Sequence, residues 1–226
     1  MTDSNASRVA ATSLEDALRS RRSVRVFTDQ MPTRERIEAL LSLAILAPSA
    51  SNKQPWRFSV VRHRETLERM ASAVQERVDF LCANMDSDGI DAFRTYGDYF
   101  TRFAQAPCVI AIAFRASPIL SHLLTDGLPA HERSLAQTME HQSACIGASL
   151  ALQNLLLAAP SLGLGASALT GPLIAADLLK PLVRVTPSWN LLALVSVGYP
   201  AETPNVTQRK PVEQSIRWID GDHEHD

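Results

Sequence analysis

Residues 142–176 contain no charged side chain, and this long neutral run is the feature that most limits how the chain can fold. Its apolar part is interrupted by Gln153, Asn154 and Pro160 and is too short to cross a lipid bilayer. A helix that is apolar on nearly every side is normally buried in a protein core or in a subunit interface. We therefore predict a long helix over residues 130–159 that packs in both.

Composition narrows the class of protein. The chain has 226 residues, of which 46% are hydrophobic and 20% charged, an ordinary balance for a globular domain. The formal net charge of −2 offers no general attraction to nucleic acid or to an anionic membrane, so we expect neither as a partner. Cys82, Cys108 and Cys145 are far apart and form no CxxC motif, which indicates free buried thiols in a reducing compartment. Residues 1–11 lack the apolar segment of a secretory signal, so we expect a cytoplasmic protein.

Hydrophobic periodicity predicts long helices mixed with a few short strands. The predicted helices span residues 14–20, 34–46, 65–82, 91–103, 130–159 and 174–179, and the predicted strands span residues 56–60, 108–114, 166–169 and 191–197. Ser13 and Thr33 are the expected caps of the first two helices. Residues 86–89 are expected to form a turn and residues 115–129 a loop. With no repeat and no flexible linker, the pattern indicates one α+β domain over residues 13–219, between disordered ends at residues 1–12 and 220–226.

Two polar motifs bracket the second helix. Arg21, Arg22, Ser23 and Arg25 concentrate positive charge and a hydroxyl group, which suits a phosphate. Residues 47–56 form a polar turn with amide side chains, which suits the edge of a flat heterocycle. Each motif alone is also typical of a solvated basic surface or of a loop that ends a helix. Together they indicate an aromatic cofactor that carries a phosphate.

These motifs resemble the nitroreductase family of FMN-dependent oxidoreductases. The resemblance also includes Gly163-Leu164-Gly165 after the long helix, the Thr170-Gly171-Pro172 turn and the basic pair Arg209-Lys210, all in the family's order. It implies an α+β fold with a central, mixed but mostly antiparallel sheet flanked by helices. It also implies an intertwined homodimer with two FMN sites at the subunit interface.

The resemblance implies a role for each matching position. Arg21 and Ser23 correspond to phosphate and ribityl contacts, Arg22 to backbone or ribityl contacts, and Arg25 to the cation beside the pyrimidine end of the flavin. The turn would contact the flavin's polar edge through the side chains of Asn52 and Gln54 and through the main chain of Pro48, Ser49 and Ala50. Since Pro55 follows Gln54, an extended conformation is expected for Gln54.

Further positions correspond to the flavin ring and to the far end of the cofactor. Ala168, Leu169, Thr170 and Gly171 match the segment that lies against the isoalloxazine, with a backbone N–H of this turn near N5. Thr170 replaces a residue that is often acidic in other branches of the family. Arg209, with Lys210, matches a phosphate contact.

Residues 91–103 are unusually aromatic and are the predicted lid over an acceptor pocket. The predicted substrate contacts are Phe93, Tyr96, Tyr99 and Phe100, with Arg94 or Arg102 available to recognise an acidic acceptor. Arginines on the surface of an aromatic helix explain the same residues.

The function implied is a reductase that takes hydride from NADPH or NADH and reduces nitroaromatic or quinone-like acceptors by a ping-pong mechanism. No protein acid or base is required. Other enzymes of the same scaffold stay open, namely enone reductases, dehalogenases and flavin-fragmenting enzymes, as does a non-catalytic protein that binds or stores FMN. No metal site is expected, since His141 and Cys145 form an incomplete ligand set and residues 222–226 are an acidic tail.

Overall fold

The structure is a computed structural model that describes residues 13–125 and 127–219, without the side chains of Ser87 and Asp88. The α-helices are α1 (Leu14–Ser20), α2 (Arg34–Ala44), α3 (Arg64–Cys82), α4 (Ser87–Gly97), α5 (Leu120–Leu123), α6 (Ala130–Ala158) and α7 (Ala176–Leu182). The strands are β1 (Trp56–Val61), β2 (Cys108–Phe114), β3 (Gly165–Leu169) and β4 (Asn190–Gly198). The expected disordered ends, residues 1–12 and 220–226, lie outside the described residues.

The four strands form one sheet in the order β1-β2-β4-β3, and every neighbouring pair is antiparallel. One parallel bridge, from Ser23 to Ala166, adds a short contact at the β3 edge. Helices cover both faces of this sheet, so the predicted α+β architecture is confirmed. The order also places β1 and β3 at opposite edges of the sheet. Since each polar motif lies beside one of these strands, the two motifs are far apart in one protomer.

Strand β2 is buried along its whole length and its side chains alternate between two cores. Ile110 and Ile112 pack against α2 and α6, whereas Val109 and Ala111 pack against α3 and α7. An apolar run of this kind is expected for a central strand with helices on both sides.

The predicted helix starts at Ser13 and Thr33 are confirmed. The Ser13 hydroxyl accepts from the Asp16 N–H at 3.2 Å, and the Thr33 hydroxyl accepts from the Arg36 N–H at 3.2 Å. Each bond satisfies one of the N–H groups that the first turn of a helix leaves without a partner.

Three expected boundaries are wrong. Helix α4 begins at Ser87, inside the expected turn, and α5 lies inside the expected loop at residues 115–129. The aromatic helix expected over residues 91–103 ends at Gly97 and continues as a 3₁₀ segment, Asp98–Gln105. A long-range contact explains α5, because Glu140 binds the start of this helix. At the end of α4, a Cβ at Gly97 would lie 2.8 Å from Val78, so glycine permits close packing against α3.

The structure confirms the prediction that α6 packs in the protein core. Ala148, Ala151 and Leu155 are fully buried, while Ile146 is 61% exposed on another face. Leu135, Met139 and Leu150 are also exposed on this helix, so it carries an apolar surface that no described residue covers. The described helices include none that combines the length and apolar composition that a membrane crossing needs.

Candidate functional site

The arginine segment is held beside β3, the edge strand of the sheet. The Val24 N–H donates to the Ala166 carbonyl at 3.1 Å, and the Thr28 N–H donates to the Tyr199 carbonyl at 2.8 Å. A Cβ at Gly165 would lie 2.7 Å from Val24, so glycine permits this close approach. The backbone therefore fixes the position of residues 21–25.

Arginines from both ends of the chain surround one cavity of about 390 Å³, which we name the basic pocket. Its lining includes Arg19, Arg21, Arg22, Ser23, Arg25 and Arg209 and no acidic residue. Within the described part of the chain, only Arg19 of these arginines forms an ion pair, with Glu15 at 2.7 Å. Apart from Arg19, the arginines of the basic pocket thus lack a carboxylate partner among the described residues, and this arrangement suits an anion such as phosphate.

The arginines of the basic pocket differ in their contacts. Arg22 donates to the Arg19 carbonyl at 2.7 Å and to the Arg21 carbonyl at 2.9 Å, so its guanidinium group also closes the end of α1. Within the described residues, the side chain of Arg209 makes only long contacts, with neighbouring carbonyls of its own segment. Lys210 is exposed and does not line the pocket, so the structure brings in Arg209 and leaves its neighbour outside.

A second cavity, of about 300 Å³, adjoins the basic pocket, and we name it the aromatic cavity. It is lined by Ala168, Leu169, Thr170, Gly171, Tyr96, Tyr99, Phe100 and Arg102, together with Arg25, which also lines the basic pocket. A Cβ at Gly171 would overlap the Phe100 ring, so glycine is required there. Phe93 does not line the cavity but packs against Phe100, with the two ring centroids 6.5 Å apart. Arg94 does not line the cavity either.

Three polar residues in the lining of the aromatic cavity, Gln105, Ser167 and Ser196, were not predicted from the sequence. The Ser167 hydroxyl is buried and has no hydrogen-bond partner among the described residues, and Ser196 lies opposite it on β4. Buried polar groups nearly always have a partner, so an unpaired hydroxyl in a cavity wall points to a ligand. The alternation of β3 was the available signal, because it puts Ser167 on the same face as Leu169.

The polar turn at residues 48–54 has an unusual backbone. Ser51, Asn52 and Gln54 have φ angles of 51°, 50° and 46°, in the left-handed region that favours glycine. The expected extended conformation of Gln54 is therefore wrong. The Ser49 hydroxyl explains the difference, since it accepts from the Gln54 N–H at 2.9 Å and holds the turn closed. Such strain at three nearby residues is typical of a functional loop.

One protomer does not bring this turn to the basic pocket. The turn leads into β1 at one edge of the sheet, whereas residues 21–25 lie beside β3 at the other. Three strand spacings, about 14 Å, separate the two edge strands. Pro48, Ser49 and Ala50 instead line a cavity along the exposed apolar face of α6, and a Cβ at Gly147 would lie 3.1 Å from Pro55.

A further cavity of about 300 Å³ adjoins the cavity along α6 at Ser49, Ala50, Met139 and Ser143, and we name it the turn cavity. Its lining includes Ser51, Lys53, Arg115, Ser117, Glu140 and Ser143. Lys53 belongs to the polar motif and Arg115 is the first residue after β2, but neither was predicted as a site residue. In the described ranges, neither cation forms an ion pair.

Glu140 builds one wall of the turn cavity. Its carboxylate accepts from the N–H groups of Ile119 and Leu120, both at 2.6 Å, and from the Ser121 hydroxyl at 2.7 Å. Burial alone would raise the pKa of Glu140, but the hydrogen bonds from Ser121, Leu120 and Ile119 lower it below the ordinary value. Glu140 is therefore an ionised structural anchor for α5.

The remaining reactive side chains do not form a site. Burial raises the pKa of Cys108 to about 12, so this thiol stays protonated at neutral pH. His141 packs edge-on against Phe114, with ring centroids 5.1 Å apart. Over residues 13–125 and 127–219, no group of three or more His, Cys, Asp or Glu side chains could hold a metal ion.

Sequence comparison finds relatives over most of the chain. The model of the nitroreductase family matches residues 18–199. A protein of Methanothermobacter thermautotrophicus, provisionally named NADH dehydrogenase/NAD(P)H nitroreductase, is 29% identical over 194 residues, covering 84% of this chain and 78% of that protein. A protein of the same name from Archaeoglobus fulgidus is 54% identical over 54 residues, which are 24% of this chain and 31% of that relative.

Solved structures share the fold. A BluB-like flavoprotein from Clostridium difficile 630 has a TM-score of 0.79 at 23% identity, and the match covers 92% of this chain and 99% of that chain. An iodotyrosine deiodinase bound to FMN and 3-iodo-L-tyrosine has a TM-score of 0.65 at 23% identity, with 88% and 96% of the two chains covered. At these identities the likeness concerns the fold.

Proposed function

Because this chain belongs to the nitroreductase family, we propose that it is an FMN-dependent reductase of nitroaromatic or quinone-like acceptors, with NADPH or NADH as reductant. Family membership makes the chain an oxidoreductase with FMN and NAD(P)H as its cofactors. The observation that carries the proposal is the meeting of the basic pocket and the aromatic cavity at Arg25. A cytoplasmic location stays a prediction.

The two cavities fit FMN in charge and in shape. Arg21, Ser23 and Arg209 would hold the phosphate, because the basic pocket offers cations without carboxylate partners. Arg25 would lie where the phosphate end and the ring end meet. The aromatic cavity would take part of the flat ring system, and the unpaired Ser167 hydroxyl is available to one of its polar atoms.

When bound, FMN supplies the redox chemistry by accepting a hydride from NAD(P)H and passing it to the acceptor. The protein residues bind and orient. Arg25 places a positive charge that stabilises negative charge gained on reduction, and Thr170 with Gly171 presents a backbone turn to the ring. Since both substrates would use the same exposed ring face in turn, we expect ping-pong kinetics without a protein acid or base.

We propose a homodimer as the active form, because the second polar motif is missing from the site of one protomer. Asn52, Gln54 and the main chain of residues 48–50 lie at the opposite sheet edge, beside the exposed apolar face of α6. A second copy packed on that face would bring its turn to the flavin. The C-terminal segment also exposes Val206, Val212 and Trp218, each by more than 60%, as an arm that embraces a partner would.

The test of this function begins with the absorbance spectrum of purified protein, where bound flavin gives two visible bands. Anaerobic titration with NADPH and with NADH then shows whether either nicotinamide bleaches them. Steady-state rates with a nitroaromatic and a quinone should give parallel double-reciprocal lines. A bound flavin that neither nicotinamide reduces would contradict the proposal and favour a protein that stores FMN.

Reductive dehalogenation is the second candidate. It is favoured by the fold shared with the iodotyrosine deiodinase over 88% of this chain. Anaerobic incubation of the reduced protein with a halogenated phenol and analysis for free halide separates the two activities. Halide release without reduction of nitroaromatics would establish the second candidate in place of the first.

A further inference from the structure

We propose that the turn cavity binds the carboxylate of a single-ring aromatic acceptor, with Lys53 and Arg115 as the cations that recognise it. The proposal rests on the proposed function, because it concerns the acceptor of the same reductase. Lys53 lies between Asn52 and Gln54, the two amides expected at the flavin edge. A ring bound in this cavity therefore lies next to the turn that would contact the cofactor.

Arg115 is held in place from two sides. Its backbone N–H donates to the Pro55 carbonyl at 3.0 Å, which ties the end of β2 to the end of the turn. Its guanidinium group lies 5.1 Å from the centroid of Trp189, and that of Arg57 lies 4.4 Å from the same ring. Cation–π contacts thus orient the side chain before any ligand arrives, which lowers the entropy lost on binding.

The charge of the turn cavity favours an anion. Lys53 and Arg115 lack a carboxylate partner in the described structure, so two positive charges face one negative charge, that of Glu140. The Glu140 oxygens are already occupied by the N–H groups and the hydroxyl that begin α5. The cations are therefore left for a ligand, and a carboxylate matches the fork of Arg115 with Lys53 as a second point charge.

The size of the turn cavity limits the ligand to a small one. Its volume of about 300 Å³ lies at the lower end for small-molecule sites, which suits one substituted ring. Ser51, Ser117 and Ser143 add hydroxyl groups to the lining, and Ile119 and Leu120 add apolar surface. Such a wall accommodates a flat ring that carries both a nitro group and a carboxylate.

Arg94 and Arg102, predicted from the sequence to recognise an acidic acceptor, have a different setting. Arg102 lies 3.8 Å from the centroid of the Tyr99 ring, in the wall of the aromatic cavity. Arg94 lines neither the aromatic cavity nor the turn cavity. Arg115 also rests against an aromatic ring, so stacking does not distinguish the two cavities. The turn cavity differs because Lys53 belongs to the polar turn and the Arg115 N–H binds the end of that turn.

The experiment compares 4-nitrobenzoate with its neutral analogue 4-nitrobenzamide as acceptors of the FMN-loaded protein. We expect Lys53→Gln and Arg115→Gln each to raise KM for the carboxylate about tenfold, and the double variant more, because each loses a charge-assisted hydrogen bond. KM for the amide should change less than twofold. Arg115→Lys should recover part of the effect, and Arg69→Gln, on the exposed side of α3, is the matched surface control.

Titration calorimetry measures the binding of 4-nitrobenzoate to the oxidised protein, and this measurement does not depend on turnover. Loss of affinity in Arg115→Gln with the flavin spectrum and melting temperature kept supports the proposal. An equal rise in KM for NADPH or NADH would assign the cations to the dinucleotide phosphates and overturn it. A selective loss in Arg94→Gln or Arg102→Gln, or equal KM for both acceptors in the unaltered protein, would also overturn it while the reductase function stands. A flavin that is reduced but reoxidised neither by these two acceptors nor by a quinone would instead reject the proposed function.

Discussion

Arg21 and Arg209 come from opposite ends of the chain and meet in the basic pocket. We predict that Arg21→Ala and Arg209→Ala each weaken FMN binding by about 10- to 100-fold, because each removes a charge-assisted hydrogen bond to the phosphate. Fluorescence titration of the flavin-free protein measures the dissociation constant. Arg69→Ala is the control, and unchanged affinity in both pocket variants would show that the phosphate lies elsewhere.

Replacing Ser167 should weaken FMN binding without destabilising the flavin-free protein. Its hydroxyl finds no hydrogen-bond partner in the described part of the chain and would gain one when flavin binds. We predict that Ser167→Ala leaves the melting temperature of the flavin-free protein unchanged or raises it, because an unsatisfied buried hydroxyl costs about 1–3 kcal/mol. The same variant should bind FMN about tenfold more weakly. Ser72→Ala on α3 serves as the control, and a destabilised variant with normal FMN affinity would make Ser167 purely structural.

At the scale of elements, two side chains of α6 hold α5. Arg133 donates to the carbonyl groups of Ser121 at 3.0 Å and Thr125 at 2.9 Å, and the ionised carboxylate of Glu140 accepts from the first turn of α5. The pKa of Glu140 is lowered in the folded protein, so the stabilisation is present above the unfolded value of about 4.3 and is lost as the pH falls through the folded value. We predict that Glu140→Gln lowers the melting temperature at pH 7 by about 4–8 °C, as expected for about 2 kcal/mol in a protein of this size.

The pH dependence distinguishes an ionic anchor from simple packing. The difference in melting temperature between the unaltered protein and Glu140→Gln should shrink as the pH falls below the unfolded pKa of about 4.3 and through the lowered pKa of the folded protein. Glu76→Gln, an exposed position on α3, should show no such change. A difference that stays constant from pH 7 to pH 3 would mean that shape, and not charge, holds α5.

At the scale of the whole molecule, the exposed apolar face of α6 is the expected dimer interface. We predict that Ile146→Glu converts a dimer to a monomer and abolishes FMN retention, because the turn of the second copy is lost from the site. Light scattering after size exclusion measures the mass. Phe80→Glu is a matched control, since Phe80 is also 61% exposed but lies on α3. A monomer that keeps its flavin would contradict the dimeric site.

The sequence by itself determined the first helix starts and the four strands, and it predicted the chemical class of the site. Helix caps act within three residues, so Ser13 and Thr33 could be identified without knowledge of the fold. The apolar run over residues 108–114 predicted a strand, and the arginine segment predicted an anion site because positive charge and a hydroxyl group are concentrated in a few consecutive residues.

Only the tertiary structure decided which groups meet. Strand order put the turn and the arginines at opposite edges of the sheet, and no local pattern encodes that order. Gln54 departed from its expected conformation because the Ser49 hydroxyl, five residues earlier, binds its N–H. The bonds of Glu140 to α5 and the unpaired hydroxyl of Ser167 likewise depend on neighbours brought close by folding, since a hydrogen bond exists or fails according to which atoms lie within about 3 Å.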